Sequence, residues 1–380
     1  MFPISTKKAT VGRKKEQEAA QYQAASQWQL MKWKFKKHKM AMISLPLLIA
    51  FYIIAFLCEF FAPYGTLERF TAYKFAPPTK LHFVDEAGNF SIVPFFYDTV
   101  NEVNPATYVR EYVEDTSQKH HIRFFVKGEP YQLLGFIPAN IHLLGTDDPD
   151  VPYFVLGTDR LGRDLFTRTI YGARISLSFG LISIFFTFII GITLGGLSGY
   201  LGGVVDTIIQ RLIDLLLCMP HIPLWMALAA ALPRDWAPLK IYFGMVIIMS
   251  LIGWTGLARV VRGKVLSLRE EDYATAARLN NASHMRVIFR HLIPSFFSYI
   301  IVNLTLSIPG SILGETALSY LGLGLQAPVV SWGVLMQDAQ NIETLAFHPW
   351  LMWPAAFVVF SVLLFNFVGD GFRDAADPYK

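Results

Sequence analysis

A serine in the run Gly196-Leu197-Ser198-Gly199 matches the short Gly-x-Ser-Gly pattern of intramembrane serine proteases, so covalent chemistry is tested there first. A nucleophilic serine needs a base within hydrogen-bond reach, and the two histidines to weigh are His348 and His291. Ser198 closes one apolar run and His348 opens another on the opposite side, about 30 Å away across a bilayer, so the two cannot act together. His291 belongs to a separate polar loop. The acidic turn Asp147-Asp148-Pro149-Asp150 lacks the spaced ligands of a calcium loop and reads as solvated. The two cysteines, Cys58 and Cys218, both fall inside apolar runs and read as neither a disulfide framework nor a metal site. No G-x-x-x-x-G-K-[ST] stretch cradles a phosphate, so any nucleotide must be bound by another chain. A non-catalytic chain without cofactor of its own is the expectation.

The elements around these residues are set by composition. Of 380 residues 53% are hydrophobic and 16% charged, too apolar for a soluble domain of this size. A bilayer core needs roughly 20 apolar helical residues, and six stretches supply them: about 40–62, 173–199, 207–232, 241–262, 295–314 and 349–369. The expected fold is an all-α polytopic membrane protein of six transmembrane helices, with a small, mostly β extracytoplasmic insertion after the first. No cleavable signal peptide is evident, since the first apolar run starts near residue 40 and is too long for one.

Charge sets the orientation. Lys32, Lys34, Lys36, Lys37 and Lys39 precede the first span, which places residues 1–39 in the cytoplasm as a basic tail. Beside a span, and interleaved with Trp33 and Phe35, these lysines point to membrane lipid headgroups and not to nucleic acid. Residues 63–172 then lie outside, 263–294 inside, 315–348 outside, and the tail 370–380 inside. Arg259, Arg262, Lys264, Arg269, Arg278, Arg286 and Arg290 cluster on the inner side, in agreement with the same rule.

Besides Arg211, two ionisable groups fall inside the third span, Asp214 and His221, and both are candidates for a translocation path. Asp214 stands one turn after Arg211 near the inner surface, which predicts an i,i+3 ion pair. His221 is flanked by Pro220 and Pro223, which free backbone carbonyls; it either lines a translocation path or serves helix packing.

The insertion has strand-like patterning, with turns expected at Asp85–Asn89 and Lys127–Pro130. After it, Thr158 can cap a helix, and the pairs Asp159/Arg163 and Asp164/Arg168 stand four apart with the acid first. That predicts a surface helix at headgroup level, with Leu161, Leu165 and Phe166 on one side, before Arg174 leads into the second span. Between the last two spans, GETALSYLGLGLQAPVVSWGVLMQDAQN is too irregular to cross and reads as a pair of short helices roofing the outer mouth.

The inner loop 263–294 has an order of its own. Helix formers run from Glu270 to Leu279, Asn280-Asn281 signals a turn, Ser283 can cap a second helix and Pro294 ends it. Ala274, Ala276 and Ala277 give the first helix a low-relief face that a partner's groove can approach, while Met285, Val287, Ile288 and Leu292 can pack back on the spans.

With LGTDRLGRDLFTRTIYGARISL, TAARLNNASHMRVIFRHLIP, ETALSYLGLGLQAPVVSWG and the closing GDGFRDAADP in that order, the chain resembles the permease subunits of ABC importers of the dipeptide, oligopeptide and nickel group. The resemblance covers roughly 30–62 and 153–380 and implies the C-type permease of a pair in a bacterial inner membrane. It implies a second permease subunit, two ATP-binding subunits that hold ATP and Mg, and an extracytoplasmic solute-binding protein. It also implies that the inner loop docks into the ATPase, through Tyr273, Thr275, Ala276, Ala277, Arg278, Asn281, Ala282, Ser283, His291 and Pro294. In the family this loop opens Glu-Ala-Ala with a Gly about five residues later; here Thr275-Ala276-Ala277 and Asn281 stand there, and Asn tolerates the left-handed backbone that Gly would take. Short peptides are the implied solute, with oligosaccharide or nickel as alternatives. An ion-coupled transporter acting alone would show paired carboxylates near mid-membrane and repeated halves, and neither is apparent. The insertion, longer than the resemblance requires, is expected to contact the binding protein or the sister permease.

Overall fold

A computed structural model of the chain describes residues 27–85, 88–103, 110–148, 151–233 and 235–376. The expected polar tail over 1–26, the chain end at 377–380, and Pro149 and Asp150 of the acidic turn lie outside them.

A short helix, α1 (Gln27–Lys37), meets the first long apolar helix, α2 (Lys39–Phe56), at His38, whose Nδ1 accepts the Ala41 N–H at 3.1 Å and so caps α2. One turn, α3 (Cys58–Phe61), leads into the insertion. Its four strands, β1 (His82–Val84), β2 (Phe90–Val103), β3 (Arg110–Leu133) and β4 (Ile137–Thr146), form one antiparallel sheet in chain order. The mostly β expectation is met.

One turn was misplaced by the pattern. The Asp85–Asn89 turn closes as expected, with Asp85 and Asn89 bonded through backbone and side chain. Lys127–Pro130, however, is not a turn: β3 runs through it with a register irregularity between Lys127 and Tyr131, and the chain reverses at Leu134 and Gly135, both at positive φ. Gly128 is there because the His142 ring occupies the space a Cβ would need. The ring nitrogens of His142 lie 2.6 Å from the Ala62 carbonyl and 3.1 Å from that of Glu129, which ties the sheet to the end of the first span.

The bundle follows. It comprises α4 (Leu165–Leu201), α5 (Gly203–Cys218), α6 (His221–Ala230) and α7 (Pro238–Leu268), then the loop helices α8 (Asp272–Leu279) and α9 (284–295). After them come α10 (Phe297–Tyr320), two short roof helices α11 (Trp332–Leu335) and α12 (Ile342–Phe347), and α13 (Trp353–Ala376). Among the described residues, five helices are long and apolar enough to cross a membrane. The expected third span is instead the pair α5 and α6, bent by 91° at Met219-Pro220, because Pro220 cannot continue the hydrogen-bond ladder. The count is therefore five, or six when that bent pair is taken as one span.

Close helix approach comes from glycine. Gly191, Gly195 and Gly199 stand four apart on α4 and face α7; a Cβ at Gly195 would lie 2.5 Å from the Ala258 carbonyl and one at Gly199 would lie 2.7 Å from that of Arg262. Leu257, Val261 and Val265 of α7 fill the seam together with Ile192. At the other end Leu177, Ile312, Trp332 and Phe365 join α4, α10, the roof and α13 in a second cluster.

Candidate functional site

The loop between α7 and α10 is built from two helices separated by a turn at Asn280-Asn281, where the sequence predicts one. The carbonyl of Glu271 accepts the N–H groups of Ala274 and Thr275, both at 3.0 Å, and α8 starts at Asp272, two residues later than the helix formers suggest. Asn281 takes φ 57°, the left-handed conformation expected of it, and lets the Ala282 N–H reach back to the Ala277 carbonyl at 3.1 Å. Thr275, where the resemblance expects Glu, accepts a 3.0 Å bond from Arg278, which also donates to the Arg269 carbonyl at 2.9 Å. The hydroxyl thus anchors Arg278 across the root of the loop.

Ser283 occupies the N-cap position of α9 without a side-chain capping bond, and the helical run passes Pro294 to stop at Phe296. Between them Val287–Leu292 is π-helical, a widened turn that sets Val287, Ile288 and Leu292 fully into the core beside Val261 and Val265.

Two expectations about the loop's faces are corrected. Ala274 is not part of an exposed low-relief face; it is fully buried against that core, Ala277 packs at its edge, and Ala276 alone of the three is exposed. Met285 does not pack on the spans, because the turn after Asn281 carries it outward. The outward surface is therefore more apolar than small: Leu279 is 83% exposed, and Tyr273, Met285 and Phe289 stand out with it. His291 is half-buried and Pro294 exposed. Sequence reasoning missed Leu279 and Phe289: Leu279 falls off the inward periodicity of its helix, whereas Phe289 fits the spacing of Met285, Ile288 and Leu292 and stands outward where that stretch is π-helical.

The remaining polar residues near this end brace helices. Ser198 is buried, donates to Asp206 and accepts from Gln210 at 3.1 Å, while Asp206 holds Arg262 through two bonds of 2.6 Å. Ser198 therefore joins α4, α5 and α7 and faces a carboxylate, not an imidazole. Asp214 pairs with Arg259 of α7 at 2.5 Å, not with Arg211, because α5 packs on α7 through Ile209 and Ile213 and brings Asp214 beside it. His221 starts α6 just beyond the bend, exposed, with its ring 5.9 Å from that of Trp225.

Comparison with known proteins places this arrangement. Residues 191–379 match the model of the binding-protein-dependent transport system inner membrane component, and residues 26–78 match the N-terminal TM domain of oligopeptide transport permease C. The chain is 40% identical over 241 residues to the oligopeptide transport system permease protein OppC of Bacillus subtilis (strain 168), covering 63% of this chain and 76% of that one. The chain belongs to this permease family.

The dipeptide transport system permease protein DppC of the same organism is 41% identical over 224 residues, 58% of this chain and 68% of its own. The glutathione transport system permease protein GsiD of Pectobacterium atrosepticum is 38% identical over 223 residues, 59% and 72% respectively. The protein is thus a multi-pass inner-membrane permease subunit of an ABC importer. In such importers ATP hydrolysis lies with partner subunits. The sheet lies outside both matched stretches, and so does the LGTDRLGRD segment.

That segment of the permease departs from its expected form. It is no surface helix at headgroup level: Thr158 and Asp164 pair across a tight turn, and the helix begins only at Leu165. Asp159, 1% exposed, accepts the N–H groups of Leu161 at 2.8 Å and Arg163 at 3.0 Å, the Arg163 Nε at 2.7 Å, and a guanidinium nitrogen of Arg168. Arg168 thus pairs with Asp159 and not with Asp164. Thr158 caps nothing; its hydroxyl donates to the Tyr73 carbonyl and accepts the Ala76 N–H at 2.8 Å. Arg160 reaches the roof at Asp338, 3.0 Å away. Arg174, beyond this turn, holds Glu59 through two bonds of 2.7 Å.

Asp164 caps α4 by accepting the Thr167 N–H at 2.7 Å. It is buried, and burial pushes its carboxyl from the ordinary 3.8 up to about 7. A carboxyl raised on folding takes up a proton, so stability is full below about pH 4, declines as pH rises, and is flat again above about 7. Asp164→Asn keeps the cap and removes that proton. Thermal unfolding in detergent across this range should therefore show the permease losing on the order of 4 kcal/mol and the variant much less. Equal pH profiles would show that Asp164 titrates as in the unfolded chain.

A buried carboxylate holds the roof. Glu315, missed because the fifth span was drawn only to 314, sits on α10 and accepts from Ser176 at 3.0 Å and Ser319 at 2.9 Å. Ser176 in turn accepts the Trp332 N–H at 3.2 Å and Ser319 that of Leu325 at 3.0 Å. The expected pair of short roof helices is present as α11 with its 3-10 extension and α12. Glu315 therefore links α4, α10 and the roof through hydroxyls.

Proposed function

We propose that this permease passes short peptides across the inner membrane in an importer driven by ATP that partner subunits bind and hydrolyse with Mg. The observation that carries the reading is the loop 269–296: its buried face is locked to the spans by Ala274, Val287, Ile288 and Leu292, while Leu279, Tyr273, Met285 and Phe289 offer an apolar surface outward. A locked loop with an apolar outer face is a lever, because whatever grips that face moves α7 and α10 with it.

The partners we assign are a second permease, two ATP-binding subunits gripping one such loop each, and an extracytoplasmic binding protein that delivers the solute. Peptides are chosen because the relatives named above carry oligopeptide, dipeptide and glutathione in their names. Both termini face the cytoplasm in this reading, which puts the lysines beside α2 and the arginines of the inner loop on one side. The sheet then faces outward and is the surface for the binding protein. His221, exposed where the chain breaks between α5 and α6, remains the candidate for lining the path; Asp214 serves as a brace to Arg259.

Proteoliposomes holding the assembled complex test this directly. Peptide uptake should require ATP and survive collapse of ion gradients, and uptake that persists without any ATP-binding subunit would favour an ion-coupled carrier. In the same vesicles, removal of residues 79–148 should raise the binding-protein concentration needed for uptake while unstimulated hydrolysis stays constant.

A further inference from the structure

The first helix has two faces that do different work. On one, Met31 and Phe35 are buried against the end of α13, with the Phe35 and Phe372 rings 4.8 Å apart and Ala375 in the same cluster. Gly371 makes the contact possible: a Cβ there would lie 2.9 Å from the Phe35 ring and collide with Ala41. His38 stands 3.9 Å from Asp374. So α1 is seated on the end of the last span, at the seam where the first and last spans meet.

On its other face Lys32 and Lys36 stand four apart and exposed, with Lys39 beyond the bend at His38, while the mean hydropathy of the helix that follows is that of a membrane span. Immediately past Lys39, Met40, Ile43 and Leu47 are exposed and apolar, as lipid-facing residues are. Lys39 therefore sits at the level where the apolar band begins, which is the level of lipid headgroups, and Lys36 and Lys32 precede it by three and seven residues.

We propose that α1 is a clamp for anionic lipid: headgroups bound by Lys32, Lys36 and Lys39 hold α1 down on α13 and so fix the seam between the first and last spans. Charge complementarity selects the lipid. A neutral headgroup offers these ammonium groups no net attraction, while each lysine near an anionic surface strengthens binding about fivefold. The inference rests on the membrane placement of the chain and on no part of the transport cycle.

Hydrogen exchange on the full complex tests it, in nanodiscs of phosphatidylcholine alone and of phosphatidylcholine with phosphatidylglycerol. Amides of Met31–Ala41 and Phe372–Ala376 should exchange more slowly when phosphatidylglycerol is present, with the other spans unchanged. The triple variant Lys32→Gln, Lys36→Gln, Lys39→Gln should lose that protection, and the arginine triple should keep it. Equal exchange in the two lipids, or full protection in the glutamine variant, overturns the clamp. Protection that follows an ATP-binding subunit and not the lipid assigns the lysines to a protein partner and overturns it equally. Failure of transport in any of these samples bears on the importer reading and leaves this readout untouched.

Discussion

Replacing Leu279 by Asp is expected to strip the ATP-binding subunits from the complex, and with them solute-stimulated hydrolysis, while the permease itself stays folded. Leu279 is the most exposed large apolar side chain of the loop and lies at the end of α8, where the Asn281 turn makes the helix stop and present its tip. Burying a leucine in a partner's cleft contributes about 1.5–3 kcal/mol, and an ionised carboxylate in the same cleft opposes docking further. Association should weaken on the order of a hundredfold. The side chain touches little of its own chain, so heat stability in detergent should change by less than about 0.5 kcal/mol.

The contrast is Ala274→Leu, five residues earlier on the same helix. Ala274 is fully buried, so the larger residue overpacks the core and costs about 1–3 kcal/mol of stability. Ala277→Arg, at another of the three small residues, mixes the two effects, because Ala277 packs at the edge of that core. Pull-down of the ATP-binding subunits and stimulated hydrolysis read the first variant, and thermal unfolding reads the second. Undiminished stimulation in Leu279→Asp would take this surface out of coupling.

What was legible follows from how many residues carry each signal. The spans are long, and twenty apolar residues in a row leave little room for another reading. The bend at Pro220 was visible as a proline but not as a break, since prolines also sit within continuous helices here, at Pro46 and Pro309. The loop's turn was legible because Asn280-Asn281 acts locally. Its faces were not, because inward and outward depend on where α9 is widened by its π turn. The insertion's strands were legible by alternation, and its second turn was misplaced because Gly128 and Pro130 look like a turn while one serves to admit the His142 ring.

The segment at 158–168 failed for an instructive reason. Acid and base four apart is the spacing of a helix face, and it is equally the spacing at which Asp159 holds Arg163 inside a turn, where Arg168, nine residues on, joins it. Two glycines decide between them. Gly157 and Gly162 bracket the acid at φ 79° and 73°, and a Cβ on Gly157 would lie 2.6 Å from the Ala76 carbonyl, while one on Gly162 would strike that of Phe70. The turn is pressed against residues 70–76, which no periodicity within 158–168 can report.

Asp159→Ala should then be the most damaging single change outside the loop. It removes the acceptor of four hydrogen bonds and leaves Arg168, 4% exposed, as an unpaired buried guanidinium. Breaking a buried pair from one side costs about 3–5 kcal/mol, a large part of the stability of any domain. The loss spreads along the covalent and ionic links of the turn: Arg160 would no longer be held toward Asp338 of the roof, and Asp164 would cap α4 from a loosened chain. The expected result is a low yield of folded permease and a fall in Tm of several degrees in what remains. The double variant Asp159→Ala, Arg168→Leu tests the cause, because removing both partners removes the stranded charge and should recover part of the stability. If the double variant is no more stable than Asp159→Ala alone, the damage lies in the lost backbone bonds to Leu161 and Arg163, and the turn, not the ion pair, is what the aspartate holds.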